Sequence, residues 1–234
     1  MVLQEGIFER IEKKYILSQT QYDGLTECMK PYMQADQYGT QTLMSIYCDT
    51  AENDLIRRSL DRPVYKEKLR VRAYGYPVGD EVYVELKKKY KGIVYKRREA
   101  ITKEEAMGFL NGDRSLARRS QILKEACYFM DYYGAMPKMM ILCERTAYES
   151  VLGEGIRMTL DSNIRYRVTD LDFSSGTSGI PYAEEPLYVL ELKVDRAMPL
   201  WLSHALSELK IYPHRFSKYG QCYIKKVLGE RKNA

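Results

Sequence analysis

Tyr65-Lys66-Glu67-Lys68-Leu69-Arg70-Val71-Arg72-Ala73-Tyr74 carries a cation on four alternate positions, Lys66, Lys68, Arg70 and Arg72, with Leu69, Val71 and Ala73 between them. In an extended strand successive side chains point to opposite faces, so this spacing predicts a strand with one cationic and one apolar face. Mixed solvent faces interleave acids with bases. The face of this segment has no acid on it.

The same pattern continues outward. Lys87 and Lys89 repeat it, as do Lys96 and Arg98. Arg157 alternates with Ile156 and Met158, Arg165 and Arg167 with Ile164 and Tyr166, and Glu191 and Lys193 with Leu190, Leu192 and Val194. A single such strand reads first as the wet face of an antiparallel sheet. Several side by side concentrate positive charge, which predicts a polyanionic ligand. Lys66, Lys68, Lys89 and Arg98 fall near expected strand ends and are read as solvent-facing.

Composition bounds the class. A chain of 234 residues can bury a core as one domain, here residues 1–234. The net charge is only +5, from 37 basic and 32 acidic residues, so basic character is a matter of placement. The 21 tyrosines are read chiefly as wall packing with the hydroxyl reaching a partner. Five cysteines (Cys28, Cys48, Cys127, Cys143 and Cys222), odd in number and without close pairs, argue against a disulfide framework or zinc site. They indicate a reducing, cytoplasmic setting. No secretory leader and no bilayer-spanning apolar run is expected. With His204 and His214 the only histidines, a histidine triad or histidine metal cluster is disfavoured.

Periodicity and turn residues predict strands over residues 8–17, 43–49, 65–74, 81–90, 93–101, 138–148, 155–161, 164–168 and 188–195. Helices are expected over 18–34 with Ser18 as cap, 52–60, 103–110, 115–133 and, after Pro199, two more, the second over 216–228. Residues 172–186, rich in Ser, Gly and Pro, read as a long mobile loop, and no phosphate loop of Walker spacing occurs. About eight antiparallel strands can close into a barrel. Helices after the first, second, fifth and last strands suggest that the apolar outside is clad and the charges line the lumen. The expected fold is therefore α+β, mainly β: an eight-stranded antiparallel β-barrel tunnel with a polar cationic lumen.

Seven segments, in order, carry a family resemblance: Arg10-Ile-Glu12-Lys-Lys14-Tyr, Leu69-Arg70-Val-Arg72-Ala-Tyr-Gly75, Val84-Glu85-Leu-Lys87, Glu144-Arg145-Thr-Ala-Tyr148, Gly155-Ile-Arg157-Met-Thr-Leu-Asp161, Leu190-Glu191-Leu-Lys193 and Phe216-Ser217-Lys218-Tyr219. Together they resemble the VTC domain of polyphosphate polymerases, within the triphosphate tunnel metalloenzymes, from about Phe8 to about Lys226. The resemblance implies a tunnel that binds nucleoside triphosphate, a divalent metal (Mn2+ or Mg2+) and polyphosphate or pyrophosphate. It implies that Lys14, Arg70, Arg72, Lys87, Arg145 and Arg157 act on the phosphates as catalytic wall residues. Arg10, Lys96, Lys193, Arg215, Ser217 and Lys218 are implied as further phosphate contacts, with Glu191 and Glu12 as metal ligands. Arg215 stands where the family pattern favours Lys, and the companions of Arg145 on its face, Cys143 and Ala147, are not polar.

Phosphoryl transfer rests on alignment and electrostatic stabilisation, and needs no nucleophilic side chain. Related tunnel hydrolases begin with Glu-x-Glu-x-Lys, whereas this chain has Arg10-x-Glu12-x-Lys14. One carboxylate that could activate water is replaced by a cation. The expected activity is therefore transfer of the ATP γ-phosphate to a growing polyphosphate chain, an ATP- and metal-dependent phosphotransferase. Two alternatives stand beside it: a metal-dependent triphosphatase or tripolyphosphatase on the same fold, and a noncatalytic polyphosphate-binding subunit of a membrane complex. A membrane-protein partner is consistent with either; nucleic acid is not the expected ligand, for want of an exposed basic stripe interleaved with aromatics.

Overall fold

The period-2 alternation of the opening segment is realised as a strand in the computed structural model, which describes residues 11–153, 155–195 and 197–232. In chain order the elements are β1 (Ile11–Leu17), α1 (Gln19–Met29), β2 (Met33–Asp49), α2 (Asp54–Leu60), β3 (Tyr65–Tyr74), β4 (Glu81–Tyr90) and β5 (Ile93–Thr102). Then follow α3 (Lys103–Leu110), a 3-10 turn (Ser115–Arg118), α4 (Gln121–Tyr133), β6 (Met136–Ser150), β7 (Ile156–Arg167), β8 (Ile180–Pro181), β9 (Tyr188–Val194), α5 (Leu200–Glu208) and α6 (Lys218–Lys232). Eight strands hydrogen-bond in the order β1-β9-β7-β6-β2-β3-β4-β5, with the two-residue β8 attached to β7. The described registers of β1 with β9, β7 with β9, and β2 through β5 are all antiparallel. This is the mainly antiparallel α+β architecture that the alternation predicts. The strand order has β1 and β5 at its ends among the described residues.

The chain forms two compact units. The first comprises residues up to 41, 144–163 and 183–216; the second comprises 42–143, 164–182 and those from 217 onward. In the first unit Tyr15, Leu17, Met158, Leu160, Leu190 and Leu192 meet Leu25 and Met29 of α1 and Leu202 and Leu206 of α5. Helix α1 starts at a capping box in which Ser18 Oγ accepts from Gln21 N and Gln21 Oε1 accepts from Ser18 N. In the second unit Leu69, Val71, Val82, Val84 and Leu86, all at most 1% exposed, pack on Phe109 of α3 and Leu123, Ala126 and Phe129 of α4. Burying each large side chain contributes about 1.5–3 kcal/mol. Thr102 and Glu105 form the capping box that opens α3 directly from the end of β5.

The departures from expectation have local causes. Helix α1 ends at Met29 rather than near residue 34, because Pro31 lacks the amide hydrogen that would continue it. Strand β2 starts ten residues before the expected Leu43; beyond Met33 and Ala35 its first half shows no sustained apolar alternation. The two strands expected over 155–161 and 164–168 are one, since Asn163 takes a left-handed conformation, φ 48°, inside β7 instead of ending it. The predicted helix over 115–133 is divided: Ser120 adopts an extended conformation and its hydroxyl caps Leu123 N.

The stretch expected to be a mobile loop is pinned from inside. Arg167, only 8% exposed, donates to the carbonyls of Asp170, Asp172, Gly176 and Ser178 at 2.9–3.0 Å. Lys225 of α6 donates to the carbonyls of Pro181 and Tyr182. Among the described residues, no helix is long and apolar enough to cross a membrane.

Candidate functional site

In the second unit, register converts the alternating pattern into rows. Lys68, Lys87 and Lys96 are successive Cα partners across β3, β4 and β5. The next row toward β2 reads Tyr47, Arg70, Glu85, Arg98, and the one after it Ser45, Arg72, Tyr83. Like charges directly opposite one another destabilise a sheet. The lysine row is therefore a surface that gains when an anion lies along it.

Glu85 organises the middle row. It is 2% exposed, and Arg70 donates from Nε to its Oε2 at 2.7 Å with Nη2 2.5 Å from the same oxygen. Lys96 Nζ lies 2.9 Å and Arg98 Nε 3.7 Å from Oε1, while Arg72 Nε is 4.0 Å from Oε2. Burial by itself pushes this carboxyl up; Arg70, then Arg72 and Lys96, outweigh it and hold the group well below the usual carboxylate range. One ionised acid is thus shared among four cations, and the ensemble keeps a net positive charge.

Aromatic rings fix the cations in place. Arg70 Nη1 donates to Tyr47 Oη at 2.7 Å, Arg72 Nε to Ser45 Oγ at 3.1 Å, and the Arg98 guanidinium stacks 3.6 Å from the Tyr83 ring centroid. Burial raises the Tyr47 and Tyr74 phenols, but the nearby arginines dominate and the net shift of both is downward. Tyr47 also stacks on Tyr219 of α6 at 4.6 Å, and Tyr219 Oη donates to buried Asp49 at 2.9 Å. Asp49 in turn accepts from the Leu55 and Ile56 amides at the start of α2. Beside Tyr219, Ser217 accepts from Lys68 Nζ at 3.2 Å, and Lys218 is the first residue of α6.

The first unit holds a second polar group, built on β1, β9 and β7. Lys14 is the Cα partner of Glu191, and Lys193 is the partner of both Glu12 and Arg157. Lys14 Nζ lies 3.3 Å from Glu191 Oε2 and 3.7 Å from Glu12 Oε1, and Lys193 Nζ lies 3.3 Å from Glu191 Oε1. Two carboxylates therefore converge on one cationic position. Among the described residues, no group of three or more His, Cys, Asp or Glu is poised for a metal. A pair of carboxylates still fits Mg2+ or Mn2+, which commonly bind through one or two carboxylates, with water and substrate phosphates completing the shell. Lys14 is the charge that such an ion would have to replace or share.

Of the remaining expected residues, Arg157 is exposed beside this group. Arg145 makes a two-pronged bond with Asp161, Nε to Oδ1 at 2.5 Å and Nη2 to Oδ2 at 2.7 Å. Asp161 is fully buried. Arg215 is exposed and follows His214, whose amide donates to the Lys14 carbonyl. Arg10 lies outside the described residues. Within the second unit, Arg70, Arg72 and Lys96 gather around Glu85, Lys87 continues the lysine row, and Ser217 meets Lys68. Within the first unit, Lys14, Lys193, Glu12 and Glu191 gather.

Sequence reasoning misplaced some residues and missed others. Arg98, expected to face solvent, is exposed and also lies 3.7 Å from Glu85, while Lys68, expected to face solvent, is half-buried and bonds Ser217. Glu85 was missed although its signal is present, an acid on the cationic face two residues before Lys87. Asp161, Tyr47 and Tyr83 carry no such signal, because their partners lie on other strands.

The VTC domain family model matches residues 9–226. Vacuolar transporter chaperone complex subunit 4 of Trypanosoma cruzi (strain CL Brener) is 27% identical over 218 residues, covering 75% of this chain. The subunit of the same name from Trypanosoma brucei brucei (strain 927/4 GUTat10.1) is 24% identical over 218 residues, covering 76%. The chain spans about a quarter of the length of these curated relatives, 27% in each case. Among solved structures, a proposed adenylate cyclase from Bacillus halodurans superposes with a TM-score of 0.56 at 14% identity, covering 89% of this chain and 93% of that one. A Pyrococcus horikoshii OT3 protein gives 0.50 at 14%, covering 93% and 99%. At such identities the likeness shows a shared fold.

Proposed function

The chain belongs to the VTC domain family, and on that premise we propose that it is a polyphosphate polymerase, moving the γ-phosphate of ATP onto a growing polyphosphate chain. The observation that carries this reading is the register of Lys68, Lys87 and Lys96, which sets three like charges side by side where a chain of phosphates can neutralise them. A polymer of evenly spaced anions matches a row of evenly spaced cations.

Each residue has a role in this reading. The lysine row holds successive phosphates, and the Arg70, Arg72 and Arg98 guanidinium groups offer planar donors to equatorial oxygens on which transition-state charge accumulates. Glu85, Tyr47 and Tyr83 keep those donors aimed before substrate arrives, so little reorganisation is needed at the moment of transfer. The attacking oxygen of a terminal phosphate is already ionised near neutral pH, so a strong general base is dispensable. Glu191 and Glu12 would hold a divalent ion, which neutralises phosphate charge when bound. Lys14, Lys193 and Arg157 keep the surroundings of those carboxylates positive.

The relatives are named as subunits of a vacuolar transporter chaperone complex. By extension, a membrane-protein partner is proposed for this chain too. The test of the polymerase reading is the purified protein supplied with ATP and Mn2+ or Mg2+, followed by electrophoresis of the products. Chain growth exceeding orthophosphate release is expected. Orthophosphate released from tripolyphosphate faster than chains grow would assign a hydrolase instead, and tight polyphosphate binding without turnover would assign a binding subunit.

A further inference from the structure

The β4–β5 hairpin ends in a tip that neither the sheet nor a helix covers. Its two turn residues, Lys91 and Gly92, both have positive φ, 47° and 89°, the tight geometry that twists in step with its strands. Around the turn, Val64, Tyr65, Tyr90, Ile93, Val94 and Tyr95 are between 44% and 63% exposed. Tyr65, Tyr90, Ile93 and Tyr95 lie on one face of the sheet and follow one another across it. Tyr65 is the Cα partner of Tyr90 and Tyr90 of Ile93, the Tyr65 and Tyr90 rings meet edge to face at 6.4 Å, and Lys91 N donates to the Val64 carbonyl. Ordinary surfaces scatter such residues singly.

Charge says what this tip fits. Residues 87–98 contain seven Lys and Arg and no Asp or Glu. Lys88 and Arg97 share Glu125 of α4, and Lys96 and Arg98 share Glu85, so the local charge stays positive. Lys91 Nζ sits 5.4 Å from the Tyr90 ring centroid. A second copy of the chain would bring two such tips together and repel. Tyrosines able to sit at a water–lipid boundary, aliphatic residues beyond them and lysines around them match an anionic bilayer surface. We propose that the β4–β5 tip is a membrane-surface anchor, with Tyr65, Tyr90, Ile93 and Tyr95 entering the interface and Lys89 and Lys91 meeting lipid phosphates.

The anchor does not depend on the polymerase reading, and binding tests it directly. The full chain is sedimented with vesicles of phosphatidylcholine alone and of phosphatidylcholine mixed with phosphatidylserine. Binding to the mixed vesicles only, weakening as salt rises, is expected. Lys91→Ala should weaken it about fivefold, and Ile93→Ser with Tyr95→Ser about tenfold or more, with thermal unfolding and polyphosphate binding preserved. Equal binding by the Ile93→Ser, Tyr95→Ser protein would reduce the effect to general charge attraction and overturn the proposal. So would absence of binding to the mixed vesicles, or gel-filtration evidence that the same changes convert a dimer into a monomer.

Discussion

Arg70 and Glu85 are partners twice over: they stand opposite each other in the β3–β4 ladder, and the guanidinium Nε donates to the carboxylate Oε2 at 2.7 Å. Because Arg72, Lys96 and Arg98 lean on the same carboxylate, Glu85 sets where all four cations point. Glu85→Gln keeps the shape and removes the charge. Polyphosphate affinity should hold or rise, since the face becomes more positive, while kcat falls by about 10- to 100-fold as the donors lose alignment. Steady-state kinetics separate the two effects; a rise in KM with kcat unchanged would refute the positioning role.

The same carboxylate makes stability depend on acid. Its folded-state affinity for protons is depressed, whereas an unfolded glutamate titrates near ~4.3. The stabilisation is therefore complete above about pH 4.3 and is lost as pH falls from there toward the lower folded value. Half-buried Glu105 and Asp172 and exposed Asp113 are also depressed and add their own slope. The difference between native and Glu85→Gln unfolding curves isolates Glu85: it should be constant at neutral pH and shrink below about pH 4. Parallel curves down to the acid limit would contradict the assignment.

What the sequence made legible follows from what determines each feature. Strands β3 to β5 could be read because one apolar and one cationic face leave only one register that buries Leu69, Val71, Val84 and Leu86. The first half of β2 could not, because after Met33 and Ala35 no further apolar residue continues the alternation until Leu43. The bracing of the segment after Arg167 was invisible for another reason: its acceptors are backbone carbonyls, which every residue has. In the candidate site the cations were legible one strand at a time. Most of their anchors were not, since Tyr47, Tyr83 and Asp161 acquire meaning only when strand pairing brings Arg70, Arg98 or Arg145 to them.

Lys87 occupies the centre of the lysine row, with Lys68 and Lys96 as its Cα partners on either side. Its side chain is exposed, so truncation forms no cavity. Lys87→Ala should change unfolding stability by no more than about 0.5 kcal/mol, while polyphosphate affinity at low salt falls about tenfold. At high salt the two proteins should converge, because screening removes the advantage of an exposed charge. Calorimetric titrations at two ionic strengths measure this; equal affinities at low salt would remove Lys87 from the binding face.

On the proposed polymerase reading, Glu191→Gln should separate metal-dependent turnover from polymer binding. Its carboxylate engages Lys14 through one oxygen and Lys193 through the other, and together with Glu12 it forms the acidic pair suited to a divalent ion. The amide of Glu191→Gln retains the size and loses the charge that would hold a divalent ion. Turnover should drop by a factor of about 100 or more, whereas polyphosphate affinity, which the proposal assigns largely to the lysine row of the second unit, should change less than about threefold. Raising Mn2+ should recover part of the lost rate if affinity for the ion is what the substitution weakens. A variant with near-native turnover across the Mn2+ series would take the metal role away from Glu191, and one that lost polyphosphate binding in step with activity would show that Glu191 organises the phosphate-binding cations themselves.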